Sequence, residues 1–315
     1  MNFQCATPMA LALAAMLLQA ANGCNPLASR SNASKVKTMT PGQFFTEPLQ
    51  VRLAVAVDRG DSGAVDAAVR DGADVNARGK DGFSILYWAM ARNAAAGFEA
   101  LVKNGADVTA ECRDPAVVTD VREQDFIIRL TLAADNPEFL RAVLRHGFDP
   151  DYILNEESKE TLLFLAVYRH SEPAMQLLLD AGASIDHRNC AGYTAMGSAM
   201  QVRDYQAVWF LLQRGADPLI RSDGGRDLPA LFKEYGSRGV RPDQRESFEK
   251  VVDELVKRGL LTHQDIIEAD KPKPSVLDDG PPGVTVIEHA PDSEAGRAIL
   301  ELDQAEREAN RRDGR

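Results

Sequence analysis

Aromatic residues are scarce in this 315-residue chain: 6% of positions, with 2 Trp, 6 Tyr and 12 Phe. Ala and Leu are frequent instead, and 26% of residues are charged, a balance that suits a soluble, helix-rich protein. Basic charge is also in deficit. Lys and Arg number 36 against 47 Asp and Glu, a net charge of −11, and because phosphate-rich partners need a basic surface, nucleic acid is not expected. The 5 His, at 146, 170, 187, 263 and 289, form no H-E-x-x-H or H-x-x-x-H pairing, so no metal site is called and no cofactor is implied. The Gly-rich SDGGRD at 222–227 lacks the lysine of a phosphate loop, and the carboxylates of NEESKE at 155–160 read as a solvated loop. With no nucleophile, base and orienter to assemble, the chain does not read as an enzyme.

Long apolar runs are missing as well, with one exception. Met9–Ala21 (MALALAAMLLQAA) has about the length of a signal-peptide core and is too short to span a bilayer comfortably. Small residues then lead to Cys24 in ANGCNPL. This resembles a bacterial lipoprotein signal, in which the cysteine after a small residue is lipidated and becomes the mature N-terminus. Ala21 stands where that motif usually has Leu, and no Lys or Arg precedes the run. Cleavage after Gly23 without lipidation is therefore a second reading, and a cytoplasmic chain with an apolar N-terminus a third. The first reading makes residues 1–23 a signal peptide and 24–46 a tether.

Glycines recur in one setting: RDGADVNA at Gly72, KNGADVTA at Gly105, RHGFDPDY at Gly147, DAGASIDH at Gly182, QRGADPLI at Gly215 and KRGLLTHQ at Gly259. Their separations are 33, 42, 35, 33 and 44 residues, a base period near 33 with two insertions. Before each glycine lies a stripe such as Ala174, Leu177, Leu178 and Ala181, the three-and-four spacing of a helix with one buried face. Such a unit buries that face only by stacking on its neighbours.

These features resemble the ankyrin family, whose repeat reads roughly D-x-x-G-x-T-P-L-H-x-A, a second helix, then L-L-x-x-G-A-D-x-N. DGFSILYWAM (81–90), ETLLFLAVYRH (160–170) and AGYTAMGSAM (191–200) match first helices; AMQLLLDAGASID (174–186) and AVWFLLQRGADPL (207–219) match second helices. The resemblance implies an all-α ankyrin-repeat solenoid of about 5–6 repeats over residues 47–261, with the first and last helix pairs as caps. The family's His position holds Tyr87, Phe164 and Gly197, so packing rather than that polar contact is expected to hold the turns. ECRDPAVVTDVREQDF (111–126) reads as a protruding loop, and 262–315 as a Pro-rich linker and a possible C-terminal helix. Cys112 and Cys190 fall at repeat tips. At about 10 Å per stacked helix layer they lie on the order of 20 Å apart, against the ~7 Å that a disulfide spans.

Ankyrin stacks bind partners through turn fingertips and first helices. The resemblance thus assigns partner contacts to Arg78, Lys80, Phe83, Arg92, Glu157, Glu160, Tyr168, Arg169, His187, Arg188, Tyr193, Gln201 and Arg221, with Phe83, Tyr168 and Tyr193 as anchors. Asp223 and Arg226 begin the C-terminal cap. Trp209 breaks an otherwise polar outer row of Asp66, Glu99, Arg141 and Gln176; it is either covered by the C-terminal segment or a contact site. Fold and address together resemble a periplasmic, lipid-anchored immunity protein, monomeric when unbound, that neutralises a secreted toxin such as a type VI lipase effector. The alternative is an adaptor that organises or protects an envelope enzyme.

Overall fold

A short polar side chain opens most of the helices. Asp61, Ser84, Ser171, Thr194 and Asp204 each accept a hydrogen bond from the backbone N–H three residues on, at 2.9–3.4 Å, which satisfies an N–H that the helix itself leaves unmet. The computed structural model describes residues 36–79, 82–109, 126–235, 237 and 240–270. Six helix pairs run through them. They are α2 (Pro48–Arg59) with α3 (Ser62–Arg70), α4 (Ile85–Ala91) with α5 (Ala95–Lys103), and α6 (Phe126–Ala133) with α7 (Glu138–Arg145). Then come α8 (Leu162–Tyr168) with α9 (Glu172–Asp180), α10 (Ala195–Gln201) with α11 (Tyr205–Gln213), and α12 (Leu228–Tyr235) with α13 (Arg245–Lys257). A short α1 (Pro41–Phe44) precedes them and α14 (His263–Ala269) follows. This is an all-α stack of the kind the repeat predicts. Among the described residues, strands are confined to the finger of the fourth pair, where β1 (Ile153–Asn155) runs antiparallel to β2 (Glu160–Thr161) with a register irregularity between Ile153 and Asn155.

The turn glycines end the second helices as the register requires. Gly182 has φ +94° and donates to Leu179 O at 3.0 Å, while Ala183 donates to Leu178 O at 2.9 Å. Nothing lies within 4 Å of a Cβ placed there, so a side chain would meet only the backbone penalty of the left-handed region.

Each pair contributes apolar side chains to one continuous core, in which Trp88, Phe98, Phe164, Tyr205 and Phe232 are the largest fully buried groups. Tyr205 sits edge-on to Phe248 at 5.1 Å and near Phe232 at 6.1 Å, and its hydroxyl finds no partner. Burial pushes that phenol above its ordinary pKa. An unmet buried hydroxyl costs about 1–3 kcal/mol. Tyr205→Phe is therefore expected to raise stability by about 1 kcal/mol, read as a higher urea midpoint at unchanged slope.

Polar rungs tie neighbouring pairs together. At the turns Asp107 N–H donates to Asn76 (2.7 Å), Ser184 N–H to Asp151 (2.8 Å) and Asp217 N–H to Asp186 (3.1 Å). On the second helices Asp66 takes Lys103 and Asn104, Glu99 takes Arg145 and His146, and Asp180 takes Arg214. Between the helices of a pair, His170 meets the buried Asp204 of the next pair at 2.5 Å, and Asn136 donates to Asn93 of the preceding one at 2.8 Å.

Two boundaries differ from the sequence reading. Residues 36–45, read as tether, pack on the stack: Val36, Phe44 and Phe45 are each 3% exposed. At the other end, residues 262–270, read as linker, are folded. Thr262 and Asp265 form a capping box that opens α14, Lys233 pairs with Asp265 at 3.2 Å, and Asp270 takes Ser237. The expected leader, Cys24, the 111–126 loop up to position 125, Cys112 and everything after Asp270 lie outside the described residues. Trp209 is half-buried against the core.

Candidate functional site

Helix pairs of equal register put equivalent residues in a row along the first helices and finger bases. The last turn of the first helix carries Arg92 in the second pair, Arg169 in the fourth and Tyr235 in the sixth. The residue just before each first-helix cap is Phe83, Glu160, Tyr193 or Arg226. These positions decide what the face offers.

In the first two pairs the face is occupied by the chain itself. Arg92 Nε pairs with Asp58 at 2.8 Å, its Nη1 donates to Lys37 O at 3.0 Å and Met39 O at 3.2 Å, and its guanidinium lies over the Trp88 ring at 4.8 Å. Trp88 Nε1 donates to the same Asp58 at 2.9 Å, and the Phe44 and Phe45 rings pack on Trp88 at 4.9 and 6.2 Å. Burial raises the Asp58 pKa, against the pull of Arg92 and Trp88. Arg92, expected to bind a partner, holds the N-terminal segment down instead.

Two of the three expected aromatic anchors are core residues. Phe83 is 4% exposed and stacks on Tyr87 at 4.4 Å; Tyr193 is 6% exposed. Finger-base residues point inward here because the tight turn at Gly82 or Gly192, both at positive φ, folds the chain back onto the first helix. The third, Tyr168, is half-buried, and its hydroxyl donates to Glu160 Oε1 at 2.7 Å. Burial and the Glu160 charge push the Tyr168 phenol far above its ordinary pKa.

Several of the expected charges serve the fingers internally. Arg78 donates to Gly82 O at 2.9 Å, His187 contacts Lys159 O at 2.8 Å, and Arg221 pairs with Asp227 at 3.3 Å. Arg188 spans two fingers, reaching Gly192 O, Arg221 O and Asp223 at 2.9–3.1 Å. Glu157 is exposed, Gln201 half-buried and Arg169 exposed. Lys80 lies outside the described residues.

Among the described residues the face is open from the fourth pair onward, and most of its polar groups are half-buried. Glu160 with Tyr168 begins it. Arg226 follows, paired with Glu234 at 3.2 Å, then Tyr235 with the Arg203 guanidinium 5.9 Å from its ring centre. Glu234, Tyr235 and Arg203 escaped the sequence reading. The insertion in the last pair hid its register, although counting forward from the glycine of SDGGRD recovers Arg226 and Glu234.

Glu160 is a perturbed acid in this row. Burial pushes its carboxyl above the ordinary range, outweighing hydrogen bonds from Tyr168, Asn189 and Ser158 and the charge of Arg129. The folded state thus keeps this proton to higher pH than the unfolded chain. The group's contribution to stability falls as pH rises from the usual Glu range through the folded value, and is flat above it. Glu160→Gln is expected to remove that decline: more stable than wild type at pH 7–8, the difference closing near pH ~4. Denaturation midpoints across that range measure it.

Comparison with known proteins now bears on the stack. Residues 130–222 match the family model of ankyrin repeats, in 3 copies. Those residues carry ankyrin repeats. Solved structures similar to it include an ankyrin repeat domain from Acinetobacter baumannii AYE, 23% identical, spanning 62% of this chain and 96% of that one at a TM-score of 0.43. The ankyrin repeat domain of Bcl-3, described as a member of the IκB protein family, is 24% identical over 63% of this chain and 85% of its own, TM-score 0.46. EF0377, an ankyrin repeat protein, is 23% identical over 63% and 93%, TM-score 0.41. The matched ankyrin repeats take in Glu160, Tyr168, Arg169, His187, Arg188, Tyr193, Gln201 and Arg221. Ankyrin repeats commonly mediate binding to other proteins.

Proposed function

We propose that this protein is a non-enzymatic binding scaffold whose partner lies along the first-helix face of the fourth to sixth ankyrin repeats. The observation that carries this reading is the contrast along one face. Its first two repeats are filled by residues 36–45, whereas Tyr168, Arg169, Gln201, Arg203, Glu234 and Tyr235 remain partly or wholly open to solvent. Acidic groups gather at the fourth repeat, whereas further on Arg188, Arg221 and Arg226 are each paired with a carboxylate, Asp223, Asp227 and Glu234; the unequal charge along the face supports a partner held in one register.

We further propose that the chain is exported, anchored through Cys24, and neutralises a secreted toxin such as a lipase effector of a type VI system. The lipoprotein-like leader and the interaction fold support this reading together. Capture of a co-expressed effector by the full-length protein, with rescue of growth that is lost in a Gln201→Arg, Tyr235→Ala double variant, is the expected result. Capture without inhibition of the bound protein supports the adaptor role and removes the immunity reading. Radiolabelled palmitate is expected on wild type and absent from Cys24→Ala; label on neither removes the lipid anchor.

A further inference from the structure

Among the described residues, the seam between the third and fourth repeats lacks the second-helix and inter-helix rungs that its neighbours carry. Arg141, at the position of Asp66 and Glu99, turns to Glu138 on its own helix at 3.3 Å. Asp135 and Arg169, which flank the turns between the helices of their pairs, make no side-chain hydrogen bond or ion pair among the described residues. Elsewhere this level is closed by Arg92 with Asp58 or by His170 with Asp204. The third-to-fourth seam is joined at the fingers, through Ser184 N–H to Asp151 at 2.8 Å and Arg129 to Leu154 O at 3.0 Å, and opens toward the opposite end.

A cavity of about 420 Å3 lies in that opening. Leu132, Leu140, Ala174 and Leu177 supply its apolar wall, with Asp135 on the third-repeat side and Arg169 on the fourth. Its volume falls within the range of small-ligand sites, about 300–1,000 Å3, and is ample for one large side chain.

Arg92 gives an internal precedent for what an arginine at this register does. It donates to two main-chain carbonyls of an extended segment whose Phe rings pack alongside. Arg169 is its counterpart two repeats on and has no such segment among the described residues.

We infer that the third-to-fourth seam is an anchor pocket for one bulky apolar side chain of a protein partner, with Arg169 taking a main-chain carbonyl and Asp135 a main-chain N–H on either side of it. The polarity fits. A donor lip and an acceptor lip around an apolar wall complement a peptide unit, whereas a free anion would meet Asp135 and a free cation Arg169. This rests on the scaffold reading and extends the contact beyond the first-helix face.

The test uses the full-length protein and N-acetyl-L-tryptophanamide, which carries one indole between a carbonyl and amide N–H groups. Methyl resonances of Leu132, Leu140 and Leu177 are expected to shift together on titration. Arg169→Ala and Asp135→Ala are each expected to weaken the probe by roughly tenfold, the scale of a lost hydrogen bond to a charged group. Leu177→Trp, which fills the cavity, is expected to abolish the shifts, with Ala134→Trp as the substitute should the first fail to fold by circular dichroism. Shifts that are absent, or that persist in the filled variant, overturn the inference. With a partner in hand, binding lost in the filled variant supports the pocket. Binding retained there but lost in the Gln201→Arg, Tyr235→Ala variant overturns the pocket and leaves the scaffold standing. Binding lost in neither overturns both.

Discussion

Phe44→Ala is expected to lower stability by about 3–5 kcal/mol, the usual loss on truncating a buried aromatic. A residue in a free tether would give a change within about 0.5 kcal/mol, so the measurement separates the two descriptions cleanly. The size follows from the surroundings. Phe44 is 3% exposed, its ring lies 4.8 Å from Phe45 and 4.9 Å from Trp88, and its removal also uncovers Trp88, which is fully buried in wild type. Gly79 lets the ring come so close: a Cβ there would stand 2.3 Å from it. Because stability in a repeat stack is nearly a sum of local terms, the loss should concentrate in the first two pairs. Hydrogen exchange is expected to accelerate in α2 to α5 and stay near wild type in α10 to α13. A uniform acceleration would mean that the N-terminal segment supports the stack as a whole.

Much of the fold was legible because one physical constraint repeats. A helix pair of this length needs a left-handed cap at a fixed distance, and Gly72, Gly105, Gly147, Gly182, Gly215 and Gly259 all adopt positive φ. The other left-handed positions were less legible. The turns between first and second helices place Gly60, Asn93, His170 and Arg203 at φ 51–64°; Gly60 and Asn93 are of types that favour the conformation, whereas the type of Arg203 gives no signal of it.

The candidate site was legible in place but not in direction. Counting from the glycines found the finger bases correctly, yet a count does not say which way a side chain points. Phe83 and Tyr193 turned inward because an apolar ring at a finger base gains more from the core than from water. Glu160, at the same register, is half-buried and held by its Tyr168 hydrogen bond. The capture of residues 36–45 by Arg92 and Trp88 had no sequence signature, since it joins positions more than 40 residues apart with no periodic relation.

Gly97→Ala carries the second large effect, and with a sign opposite to helix propensity. In an exposed helix interior the change gains about 1 kcal/mol. Here α5 packs directly on α2: a Cβ on Gly97 would stand 2.2 Å from Val57 O and 2.7 Å from Val57 Cα. Both are backbone atoms, so no rotamer change relieves the clash, and the two repeats must move apart. Separation loosens Phe98, Leu101 and Val57, all fully buried, and lengthens the Asp66 contacts to Lys103 and Asn104. Overpacking of this kind typically costs about 1–3 kcal/mol and occasionally more. A net loss of about 3 kcal/mol in denaturant unfolding is expected. Gly63→Ala in α3, whose nearest non-neighbouring atom to an added Cβ is Asp61 Oδ1 at 3.5 Å, is the control and should be neutral or stabilising. Equal losses in the two variants would mean that the seam between the first two repeats is not closed by backbone contact at Gly97. A loss confined to Gly97 would establish that this seam is set by glycine, as the third-to-fourth seam is set by the rungs it lacks.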